Sequence, residues 1–296
     1  MLLAVKEGVV MVDKKYRNST WLKASVYSHF NLWTHSLRTI LMVIFILLMN
    51  YMLAKSYENS VSLNQWNVYF GETLFSYISS GFNIIMTSVA LLVMLSELPK
   101  QVAYQNYMLM RLSRRKWLIS LLVFSVCIVT AFIILMITTS ALFSLTFITD
   151  GTGWSDLERT AKDPEYAHSI QQYIPIYIRS LTPSIACILA AIVLFFFWTT
   201  MALVILLFSL YDAPNLGLVF CVSLLLLNII ILFESLPEMK LPIQFATLNA
   251  IVSQVEEHKL RFVLLILIGY VIGDAILIKI MDNRVKQMDI RFLGKE

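Results

Sequence analysis

Residues 96–117 read SELPKQVAYQNYMLMRLSRRKW. On both sides of this stretch the chain is almost wholly apolar. Inside it stand five basic residues, Lys100, Arg111, Arg114, Arg115 and Lys116, interleaved with Tyr104 and Tyr107. A basic connection between two apolar runs, each long enough to cross a hydrocarbon layer, is the loop of a membrane protein. Ser96 and Glu97 suit the end of one helix, and Pro99 forces a break or a new start. Beyond Pro99, Tyr104, Met108, Arg111 and Arg115 recur at three- and four-residue spacing, with Val102, Leu109 and Leu112 elsewhere on the circumference. This spacing predicts a short helix along the inner membrane surface. The simpler reading of the same charges is a topology anchor that holds the loop to anionic lipid.

Composition extends that reading to the whole chain. Of the 296 residues, 58% are hydrophobic and 14% charged, against about 45–50% and about 25% in an ordinary soluble domain. Six apolar spans are predicted, near Leu37–Ala54, Phe75–Leu95, Trp117–Phe147, Ile185–Tyr211, Leu216–Phe233 and Phe262–Met281. About 20 residues cross a hydrocarbon core of roughly 30 Å. The third run is longer than that, so it must tilt or project at its outer end. Six spans put both termini on one side. Sixteen of the 23 basic residues fall on the segments of that side, and most loop acids fall on the other. The bias predicts both ends in the cytoplasm. The net charge of +4 therefore belongs to membrane-flanking loops and is no sign of nucleic-acid binding.

The expected organisation has three parts. Residues 1–36 form a cytoplasmic arm, residues 37–281 the six-helix transmembrane domain with the 96–117 segment, and residues 282–296 a cytoplasmic tail. In the arm, Trp21, Val26, Phe30 and Trp33 alternate with Lys23, His29 and His35, the pattern of an interfacial helix over about Tyr16–Leu37. The opening MLLAVKEGVV is too short and too polar for a cleavable signal peptide. Lys6-Glu7-Gly8 can be encoded by a purine-rich ribosome-binding sequence, which makes Met11 a second candidate start. Tyr211-Asp212-Ala213-Pro214-Asn215 has the chemistry of a tight turn. The outer segments are Thr149–Ser184 and Glu234–Arg261, the second with a stretch from Pro242 to about Glu257 suited to dip back into the outer leaflet. Cys127, Cys187 and Cys221 each lie inside an apolar run and read as small hydrophobes, neither a disulfide framework nor a metal site.

The layout resembles the permease subunits of bacterial ABC-2-type exporters. The residues that carry the likeness are an apolar span, Ser96-Glu97-Leu98-Pro99, an aromatic and polar helix, and Arg111-Leu112-Ser113-Arg114-Arg115-Lys116-Trp117 leading into the next span. Lys286-Gln287-Met288-Asp289-Ile290 is similar to the family's tail. The resemblance implies an all-α fold with six spans, an N-terminal interfacial helix, cytoplasmic termini and a bacterial plasma membrane location. It implies that 96–117 is the coupling helix docking on a separate ATPase, with Tyr104, Tyr107, Met108, Arg111, Arg114 and Arg115 at or supporting that contact. It also implies a second permease copy or a related permease, and surrounding membrane lipid. The chain has no Gly-x-x-x-x-Gly-Lys-Ser/Thr loop, so no cofactor is expected in it. ATP and Mg belong to the partner.

Three other constellations compete with this reading. Glu256-Glu257-His258-Lys259-Leu260-Arg261 spells EExxxR and is similar to intramembrane CAAX-type proteases, but no His follows His258 to complete a catalytic site. No enzyme is expected. Asp274 is the only acid inside a span. It is either a proton or cation relay or an acid hydrogen-bonded to a neighbouring helix beside Gly269-x-x-x-Gly273. Ser76, Ser80, Asn83 and Thr87 make one polar stripe in span two, for helix packing or for lining a substrate pathway. Thr199, Thr200 and Asn228 share that ambiguity. The alternatives in function are an ATP-independent sensor or immunity protein for an extracellular peptide, and a secondary transporter centred on Asp274.

Overall fold

The computed structural model describes residues 20–64, 67–79, 81–96, 113–149, 151, 154, 181–211, 213–233 and 259–287. These residues form helices: α1 (Thr20–Thr34), α2 (Leu37–Asn64), α3 (Phe70–Ser79), α4 (Gly81–Leu95), α5 (Arg114–Ser144), α6 (Pro183–Leu210), α7 (Pro214–Phe233) and α8 (Lys259–Gln287). The pairing outside them is one isolated bridge, Tyr69 with Thr149. Among the described residues, four helices are long and apolar enough to cross a membrane: Leu37–Ser56, Arg114–Ser144, Pro183–Leu210 and Val263–Gln287. The fold is that of an all-α membrane protein.

The fifth predicted span, Leu216–Phe233, is met by the 20 residues of α7. Asn83–Leu95 is a shorter apolar helical stretch within the second. The second predicted span, Phe75–Leu95, takes in the end of α3, to Ser79, and α4, from Gly81. α3 also starts earlier than hydropathy suggests. Its first turn holds Glu72 and Thr73, both fully buried in the bundle, and a hydropathy reading passes over polar residues that are buried by neighbours.

Local chemistry sets the helix boundaries. The hydroxyl of Ser36 accepts the backbone N–H of Thr39 at 3.2 Å and caps α2. Thr182 precedes α6 in an extended conformation and Pro183 fills its first position, where a missing N–H costs nothing. At the α6–α7 turn, the Phe208 carbonyl accepts from the N–H groups of Tyr211 and Ala213, and Pro214 starts α7. Gly217 makes the hairpin tight. A Cβ there would lie 2.9 Å from Phe208 Cβ and 3.2 Å from Ile205 Cα.

α6 is the central helix, packed against α3, α4, α5, α7 and α8. Its apolar window is 61% buried, while that of α8 is 11% buried, so α8 lies at the periphery and presents most of its apolar surface outward. α2 packs on α4 and α5, and α1 on α5. The main core joins Phe75, Phe124, Phe132, Trp198 and Met201 with their neighbours. A second, smaller core joins Trp117, Leu118 and Leu121 of α5, Leu203, Leu206 and Leu210 of α6, and Met281 and Val285 of α8.

The arm helix forms, with one change of face. His29 belongs to the packed side of α1: it is 3% exposed, and its ring lies 5.3 Å from that of Phe124. Its imidazole body packs on the aromatic ring, as amphipathic side chains do at an interface. Cys187 and Cys221 are buried, Cys127 is half-buried, and all three are free thiols.

Candidate functional site at the basic end of the bundle

The basic turn that opens α5 is joined to α8. Arg114 Nη1 donates to the Lys286 carbonyl at 3.2 Å. Arg115 Nε lies 3.8 Å from Asp282 Oδ1, and Asp282 also pairs with Lys286 one turn further along α8. Arg284, on the same stretch of α8, donates from Nε to the Leu210 carbonyl at 3.4 Å and places its guanidinium 4.6 Å from the centre of the Tyr211 ring. The last turns of α8 thus reach both the start of α5 and the end of α6. Beneath these contacts sits the smaller core, where Trp117 is 1% exposed. α8 continues through Met281 to Gln287, so the residues expected to begin the tail are helical and form this junction. At the same end, Arg38 of α2 donates to the Ser96 hydroxyl at 2.9 Å, after the last residue of α4.

Of the residues expected to serve coupling, Arg114 and Arg115 are in this junction. Tyr104, Tyr107, Met108 and Arg111 lie outside the described residues, as do the stretch from Pro242 to Glu257, the EExxxR acids Glu256 and Glu257, and the chain beyond residue 287.

Among the described residues, side-chain hydrogen bonds tie the spans together. Asn50 of α2 donates to the Thr139 hydroxyl of α5. Trp198 Nε1 of α6 donates to the Ser88 hydroxyl of α4 at 2.8 Å. Thr200 of α6 bonds Asp274 Oδ1 of α8 at 2.7 Å. An acid in this setting is held by a neighbour because water is scarce and an unmade bond is costly. In the polar stripe, Asn83 donates to the Tyr77 carbonyl at 2.7 Å, reaching from α4 back to α3, and Thr87 donates to the Asn83 carbonyl at 2.6 Å. Both side chains are fully buried within the chain. Ser80, the Ser76 side chain and the Asn228 side chain lie outside the described residues.

At the opposite end, the chain leaving α5 and the chain entering α6 clasp α3. The Val68 carbonyl accepts the backbone N–H of Thr149 at 2.9 Å. Trp154 stacks edge-on against Phe75 and donates from Nε1 to the Leu181 carbonyl at 2.8 Å. A Cβ on Gly151 would overlap the Tyr69 ring. The long 149–184 segment is therefore fastened at both of its ends. Among the described residues, no group of three or more His, Cys, Asp or Glu side chains is placed to hold a metal ion.

Sequence reasoning missed several of these residues. Asp282 carries a readable signal, an acid four residues before Lys286 just past an apolar run. Its pairing with Arg115 is long-range and leaves no mark in local spacing. The Ser88–Trp198 bond is equally silent, since serine and tryptophan are ordinary inside a span. The chain matches no family model, no curated protein and no solved structure.

Proposed function

We propose that the chain is the permease subunit of an ATP-driven exporter of the ABC-2 type. In this reading it crosses a bacterial plasma membrane six times with both termini in the cytoplasm. Its 96–117 segment docks on a separate ATPase subunit, and a second permease copy or a related permease completes the substrate pathway. ATP and Mg are bound by the partner ATPase.

The observation that carries the reading is the junction of α5, α6 and α8 at the basic end. A coupling segment must pass a movement of its partner into the spans. Arg114 and Arg115 stand where the 97–112 stretch enters α5 and are bonded to α8, which in turn is bonded to the end of α6. A displacement of the segment would load three spanning helices together through a packed core, and packed interfaces move as units. The charge bias of the loops supports the cytoplasmic placement of this end. In this account Ser80, Asn83 and Thr87 are the pathway candidates, and Tyr104, Tyr107 and Arg111 are the contacts to the ATPase.

The test is co-purification from native membranes, with ATP hydrolysis assayed on the captured material. The variants are Tyr104→Ala and Arg111→Glu. Arg115 is left unchanged because reversing its charge also breaks its pairing with Asp282. An ATPase that accompanies the wild-type chain and is lost with Arg111→Glu supports the reading. A folded wild-type chain that brings down no ATPase rejects it in favour of the sensor or secondary-transporter alternatives.

A further inference from the structure

A groove of about 560 Å³ runs between α1 and α5. One wall is the apolar row Val26 and Phe30 of α1 with Val123 of α5. The other is the row Lys23, Tyr27 and Asn31. Each α1 row advances four residues at a time, about 6 Å per step, so the two rows run side by side along one helix. One offers hydrocarbon, the other an ammonium, a phenol and an amide. Lys23 is exposed, and Tyr27 is 73% exposed. A groove of this kind fits a ligand that is itself amphiphilic along its length.

The sign of its charge follows from the residues around it. Neither α1 nor α5 contains an acidic residue, and none occurs anywhere between Asp13 and Glu58. Lys23 is therefore not countered from either wall. Depth follows from α5. Val123 lies nine residues past Arg114, about 13 Å along the helix, well beyond the basic turn and in the apolar part of α5. The polar row lies at the surface and the apolar wall leads inward.

We propose that this groove binds an anionic glycerophospholipid, with its phosphate at Lys23 and Tyr27 and an acyl chain along Val26, Phe30 and Val123. The bound lipid would seat the arm helix on α5. The proposal rests on the membrane reading of the long apolar helices and is independent of the exporter reading.

The experiment is photo-crosslinking of the full-length chain in nanodiscs, using diazirine-bearing phosphatidylglycerol and phosphatidylcholine as probes. Labelled peptides are mapped by mass spectrometry. One basic side chain at an anionic headgroup predicts that the phosphatidylglycerol probe labels the α1 and Val123 peptides about fivefold more than the phosphatidylcholine probe. Lys23→Glu should bring the two probes to parity with an unchanged melting temperature. Val123→Trp, which fills the apolar wall, should lower labelling by both. Equal labelling of the wild type by the two probes would reduce the groove to annular lipid and overturn the proposal. A preference that survives Lys23→Glu would overturn the assigned headgroup contact. Crosslinks from these peptides to residues 97–112 in place of lipid would show that the chain itself fills the groove.

Discussion

Gly217 and Asp274 show how much single residues hold in a bundle of apolar helices. Gly217 lets α7 approach α6 so closely that a Cβ meets Phe208 and the Ile205 backbone. Gly217→Val should therefore lower stability by about 1–3 kcal/mol through overpacking. Gly269→Ala is the control. Its Cβ meets nothing within 4 Å, and removing a glycine from a helix interior should leave the monomer unchanged or stabilise it by up to about 1 kcal/mol. Thermal unfolding of the monodisperse chain in detergent compares the two. Asp274 is bonded to Thr200 across α6 and α8. Asp274→Asn and Thr200→Val should each cost little, and the double variant should show a coupling of about 0.6 kcal/mol, the mean for such bonds between spanning helices. On the exporter reading, transport should persist in Asp274→Asn. A secondary transporter that moves protons or cations through Asp274 would instead lose transport altogether. Asp274 was legible in the sequence as the only acid in a span. Thr200 was legible only as one of several polar candidates, because the geometry that pairs it with Asp274 depends on how α6 and α8 pack.

At the scale of elements, α8 is the helix whose role changes most between sequence and structure. Hydropathy ends its span near Met281, yet the helix runs to Gln287 and its charged last turns carry the contacts to α5 and α6. Arg115→Asp should loosen that junction, Asp282→Arg should do the same, and the combined charge swap should recover most of the loss. A double spin label with one site on the first turn of α5 and one on the last turn of α8 reads this as a broadened and then restored distance distribution. If neither single variant broadens the distribution, the pairing is incidental. The other elements were legible to different degrees. α5, α6 and α7 lie within a few residues of their expected bounds because long apolar runs between Pro, Ser and basic residues admit few other structures. The early start of α3 at Phe70 was not legible. Glu72 and Thr73, just before span two, and Asn83 and Thr87, within it, are all buried, and a hydropathy average cannot tell a buried polar group from one facing water. His29 went astray for the same reason. Spacing placed it on the polar face of α1, while its ring packs on Phe124.

At the scale of the whole molecule, the bundle has two unlike ends. One is basic, with Arg38, Arg114, Arg115 and Arg284 all engaged with helix termini or with α8. The other is held by backbone pairing and aromatic packing around Val68, Thr149 and Trp154. This asymmetry predicts the orientation. In inside-out vesicles a cysteine placed at Lys286 should react with a membrane-impermeant maleimide, and one at Thr146 should not. Right-side-out vesicles should give the reverse. The account is tested most directly at the segment from which it began. A photoreactive benzoylphenylalanine replaces Tyr107, cells are irradiated, and the crosslinked species are identified. The same probe at Phe147, at the opposite end of α5, is the control. The account predicts a crosslink from position 107 to a nucleotide-hydrolysing ATPase subunit and none from position 147. A position-107 probe that is captured only by lipid or by the chain itself would contradict it.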